Sequence, residues 1–107
     1  MANDYDERNK SIALWAGFKP HYIKAIDFTM WIRPDGKEIT RLPRFWCDLN
    51  ACFKWLVPEL EGFTITSDGG MFRAEASMRG TFWERNNKPA MAFFLAIEAL
   101  LKYNKLP

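Results

Sequence analysis

Between positions 88 and 103 the chain reads KPAMAFFLAIEALLKY, a stretch whose interior is broken only by Glu98 and Lys102. Good helix formers fill it, Pro89 stands where a first-turn proline forfeits no hydrogen bond, and Asn104 follows as a cap. The pattern predicts a closing helix. Ala90, Phe93, Phe94, Ile97, Leu100 and Leu101 make one apolar stripe at helical spacing, and Met91, Leu95 and Ala99 widen it beyond what a surface helix needs. Such a helix requires a cover on each of two sides. The chain's own sheet plus a neighbouring helix would supply both; otherwise a second protein molecule must.

Two further helices and a set of strands precede it. Residues 4–16, DYDERNKSIALWA, pair Asp4 with Glu7 in a capping-box-like arrangement and end before Gly17, with the apolar positions Ile12, Ala13, Trp15 and Ala16 confined to the second half. Residues 18–30 mix aromatics, lysines and a proline without clean periodicity and read as a loop with at most a short extended piece. Pro34-Asp35-Gly36 then marks a tight turn or small hairpin. A second helix opens at Asp48, a natural N-cap, and carries Leu49, Ala51, Cys52, Phe53, Leu56, Val57 and Leu60 at helical spacing up to Gly62. Pro58 lacks the N–H that would bond the Lys54 carbonyl, so it should kink the last turn or end this helix at Val57.

Residues 62–78 alternate as a hairpin should. Phe63 and Ile65 alternate with Thr64 and Thr66, Ser67-Asp68-Gly69-Gly70 turns the chain, and Phe72, Ala74, Ala76 and Met78 share one face of the return strand. The two alanines would let a helix approach closely. Arg79-Gly80 turns again, residues 81–85 read as a third strand, and 86–88 lead into the closing helix. The order α-(β)-α-β-β-β-α predicts an α+β domain: a compact α/β sandwich with a mainly antiparallel sheet of three to four strands packed by two or three helices. Phe53, Leu56, Phe72, Ala74, Phe94 and Ile97 are its expected core.

Composition adds limits to this picture. At 107 residues, with 49% apolar and 16% aromatic side chains, the chain is a single globular domain with a real core. Fifteen basic against thirteen acidic residues leave +2, too weak a bias to select nucleic acid or an anionic membrane. The polar start MANDYDERNK is unlike a secretory signal, and no apolar run reaches the length of a membrane span, so the expected location is the cytoplasm. Cys47 and Cys52, five apart on one helical segment, would point about 140° apart, which disfavours a disulfide between them. No metal-ligand spacing surrounds them, and no cofactor motif is present.

The chemistry that the sequence could support is correspondingly narrow. His21 is the only imidazole, in an unpatterned stretch with no nucleophile set beside it, so no catalytic residue is assigned and an enzyme is the least favoured reading. Gly69-Gly70 joins two antiparallel strands, whereas phosphate loops lead into a helix N-terminus. Arg73, Arg79 and Arg85 with Trp83 could form a basic and aromatic strip for nucleic acid on the sheet's outer side. The α-β-β-β-α order is also that of double-stranded RNA-binding domains, but Asn87-Lys88-Pro89 stands where those carry a lysine cluster.

Three stretches together resemble a family of small bacteriophage and prophage proteins of uncharacterised function, described by an α/β/α sandwich domain. They are LPRFWCDLNACFKWL at 42–56, the hairpin at 63–78 and the Ala-rich helix at 90–101. Phe93-Phe94 and Pro58 depart from the family's pattern. The resemblance implies a phage or prophage origin and a fold, not a reaction. The expected function is therefore non-enzymatic: stoichiometric binding to a host or phage macromolecule, such as a component of host defence. A protein partner is preferred and nucleic acid is the alternative. Met91, Leu95 and Ala99 are the candidate partner-binding flank, through which a homodimer could also form.

Overall fold

The computed structural model describes residues 4–104. Residues 1–3 and 105–107 lie outside the described residues, and with them part of the polar N-terminal stretch. The chain forms helix α1 (Asp4–Trp15), strands β1 (Lys19–Ile23), β2 (Phe28–Ile32) and β3 (Glu38–Ile39), a short helix α2 (Leu49–Ala51), strands β4 (Gly62–Asp68), β5 (Met71–Ser77) and β6 (Thr81–Asn86), and helix α3 (Pro89–Tyr103). The α+β class is as expected. The strands divide into two antiparallel three-stranded sheets, β1-β2-β3 and β4-β5-β6, rather than forming one.

Helix α3 is the spine of the molecule, and both covers it requires come from its own chain. On one side it packs on β5 and β6. Ala74 and Ala76 are fully buried there, because only a residue as small as alanine leaves room for a helix axis so close to the sheet. On the other side lie α1 and the segment from Cys52 to Leu56. Phe93 contacts Phe63 of β4 at 6.0 Å, whereas Phe94 on the opposite flank sits edge-on to Tyr5 and Trp46 at 6.2 and 6.3 Å. Arg8 clamps α1 to α3 through two hydrogen bonds to the Glu98 carboxylate, and its guanidinium also lies over the Tyr5 ring. Donating to Glu98 strengthens the hold of Arg8 on its proton. Breaking such a pair leaves an uncompensated charge in a partly buried place.

Asn9 ties the remaining layer together. It is the buried polar residue of α1, donating to the Pro43 carbonyl at 2.7 Å and accepting from the Phe45 N–H at 3.1 Å. The loop so held inserts Phe45, fully buried, against Phe18, which in turn meets Trp55.

Two stretches depart from expectation. Residues 18–30 contain not a loop but the β1–β2 hairpin, with His21 opposite Met30 and Ile23 opposite Phe28. Both faces of β2 are apolar, so the period-2 signal is absent, and Pro20 is tolerated because β1 is an edge strand. The helix from Asp48 is capped as expected by Asp48 accepting from the Ala51 N–H, but regular α-helix ends at Ala51. It widens to a π turn over Cys52–Leu56 and tightens to a 3₁₀ turn over Val57–Glu59. Without a donor at Pro58 the ladder to Lys54 cannot continue, and the chain redistributes its bonds around the gap. This rotation carries Phe53 out of the expected core: it is 42% exposed, while Leu56, Ala74, Phe94 and Ile97 are fully buried and Phe72 is half-buried.

The two cysteines differ in environment. Cys47 is exposed, whereas Cys52 is buried and donates to the Phe45 carbonyl at 3.1 Å. Burial, followed by the Asp48 charge, pushes its thiol from 9.0 up to about 12. The folded protein should therefore release one thiol rapidly to a disulfide reagent near pH 8 and the second only on unfolding. Equal rates for both in the folded protein would contradict the burial of Cys52. A thiol kept neutral by folding contributes stability below the ordinary value of 9.0, which is lost as pH rises toward about 12.

Candidate functional site

Three surfaces hold the side chains that are candidates for contact with a partner. The first is the outer face of the β4-β5-β6 sheet. Since α3 takes the side of Ala74 and Ala76, the alternation of the strands turns Arg73, Glu75, Trp83 and Arg85 away from it. Arg73 is directly opposite Arg85, and its guanidinium lies 4.3 Å from the Trp83 ring centre. Arg73, Trp83 and Arg85 are thus brought together, as the sequence reading expects. Arg79 is apart from them, exposed in the β5–β6 turn with a φ of 58°. Two carboxylates accompany the arginines: Glu75 is 3.0 Å from Arg73, and Asp68 is 3.4 Å from Arg85. The like charges of the opposed arginines are offset locally, leaving little unpaired positive charge for a phosphate.

The second surface is the β1–β2 arm. Its two faces are unlike. Trp31 and Ile39, opposite each other, pack on the core. On the other face lie Ile23, Phe28, Met30 and Ile32, and none of these packs on the core cluster. Phe28 is 42% exposed, and at the tip Ile26 and Tyr22 reach 64% and 56%. The arm is internally well made: the Tyr22 hydroxyl donates to Asp27 at 2.6 Å, and Asp27 adopts the left-handed conformation that closes the tip. That bond also raises the Tyr22 phenol above its ordinary value. His21 is exposed on the same face, 3.5 Å from Glu38. An isolated two-stranded hairpin is marginal in water, so the arm draws its stability from the side that packs on the core, through Trp31 and Ile39. Periodicity does not single out the arm; the signal available was the density of large apolar residues from Tyr22 to Ile32.

The third is the flank of α3 that bears Met91, Leu95 and Ala99. All three are half-buried, and Met91 and Leu95 pack on the core cluster from the side. An open cleft of about 440 Å³ between α1, β2 and residues 40–46 is lined by Trp31, Trp46, Lys10, Arg41, Arg44 and Asp6 among others, with no histidine or cysteine. Among the described residues no group of three His, Cys, Asp or Glu side chains is placed to hold a metal ion, and no helix is long and apolar enough to cross a membrane. Comparison with protein-family models, with curated proteins and with solved structures finds no match.

Proposed function

We propose that the protein is a phage- or prophage-encoded, non-enzymatic interaction module that binds a host or phage protein stoichiometrically in the bacterial cytoplasm. The phage setting rests on the resemblance of residues 42–56, 63–78 and 90–101 alone. Binding is supported by one observation above the others: the apolar face of the β1–β2 arm, Ile23, Phe28, Met30 and Ile32, packs on nothing in its own chain's core. Burying three or four such side chains against a partner would contribute about 1.5 to 3 kcal/mol each before the cost of association.

The test is affinity capture from bacterial lysate with three baits: the wild type, Ile23→Ser/Phe28→Ser/Met30→Ser, and Trp83→Ala. The account expects a protein retained by the wild type and by Trp83→Ala but lost with the arm variant, all three baits giving the same circular dichroism. Nucleic acid is the second reading, favoured by Arg73 lying over Trp83 on the open sheet face. It expects the reverse pattern, together with retention that collapses between low and physiological salt.

A further inference from the structure

The two sheets have long edges that differ in how they are protected. Natural edges are blunted by lysine, proline or inward charge, which discourages another strand from pairing with them. Strand β1 carries Lys19, Pro20 and His21, and β6 carries Glu84 and Arg85. Strand β4, the remaining long edge, reads GFTITSD over Gly62–Asp68 and has neither lysine, arginine nor proline, its single charge being the terminal Asp68. Its middle consists of β-formers. Beside it is an apolar shelf: Phe63 and Phe53 are 40% and 42% exposed, 5.8 Å apart, and together they extend the buried Phe93 toward the edge.

We propose that two copies of the chain pair through β4, antiparallel about a two-fold axis at Ile65, to make one continuous six-stranded sheet. The strand is complementary to itself in that register. Its seven residues pair along their whole length, Gly62 facing Asp68 and Phe63 facing Ser67 of the second copy, so no charge meets a like charge. Thr64 faces Thr66 twice on the outer side, a favourable cross-strand pair. Residues of equal parity stay on one face, so Phe63 and Ile65 of both copies line the helix side, where each Phe53 lies against the Phe63 of its own chain. Backbone pairing and aromatic burial therefore use the same edge, and the two-fold closes the assembly at two chains.

An interface built on a single strand edge belongs to the small, transient class, so the mass is followed over a concentration series up to the limit of solubility. Light scattering should show the wild type rising from the mass of one chain toward two. Thr64→Lys, exposed and opposite Glu75 in its own chain, should stay folded and remain at one chain, because its lysine meets the lysine of the second copy diagonally across the axis. A Cys47→Ser/Ile65→Cys variant should oxidise to a covalent dimer, since a residue on the axis faces itself at disulfide distance. A wild type that keeps one-chain mass throughout overturns the proposal. So does a dimer that Thr64→Lys leaves unchanged, or assembly that continues beyond two chains.

Discussion

Phe94→Ala is expected to cost about 3 to 5 kcal/mol of stability in a denaturant titration, the range for truncating a fully enclosed aromatic ring. The ring has no exposure, and it meets Tyr5 and Trp46 edge-on while Tyr5 stacks on Trp46 at 5.7 Å. Removing it takes the shared partner from a three-ring cluster at the seam between α1 and α3, and Arg8 also loses a ring face 5.7 Å away. The backbone cannot close the gap, since α3 is held on its other side by the sheet. Phe53→Ala, on a ring 42% exposed, should cost much less. A loss below about 1 kcal/mol for Phe94→Ala would mean that the seam is not packed as described.

Asn9→Ala should cost about 2 to 4 kcal/mol, although it removes little apolar surface, because it withdraws hydrogen-bonding partners from buried main chain. The Phe45 N–H loses its acceptor and the Pro43 carbonyl its donor. Phe45 is fully buried, so water cannot replace what is lost without opening the layer between α1 and the 43–46 loop. Thermal unfolding with near-ultraviolet circular dichroism reads both effects: a lowered midpoint, and a weaker aromatic signal from the displaced Phe45 and Trp46. A change under about 0.5 kcal/mol would show that the loop is held by other contacts.

Where one period dominated, the sequence was a good guide. The closing helix, the 62–78 hairpin and the third strand are where alternation and helical spacing put them, and the need of α3 for two covers could be read from its apolar width. Arg73, Trp83 and Arg85 could be grouped because period-2 alternation puts every second residue on one face. Three things escaped, each for a physical reason. The β1–β2 hairpin has apolar residues on both faces and so no period. Pro58 announced a break, but not that the chain would absorb it as a π turn rotating Phe53 outward. Asn9 looked like one polar residue among many in a charged first turn and a half; its role depends on a loop more than thirty residues away, which no local pattern encodes.

The central claim is that α3 is an internally covered spine and that the β1–β2 arm stands outside the cooperative core. Backbone hydrogen exchange followed by peptide mass spectrometry tests it directly. Amides of residues 90–101 and of β5 should exchange only through global opening, and those of residues 19–30 should exchange faster by about a hundredfold or more, through local opening of the arm. Arm amides as slow as those of α3 would make the arm part of the core and remove its apolar face as a binding surface. Fast exchange across residues 90–101 would show that α3 is not covered on both sides.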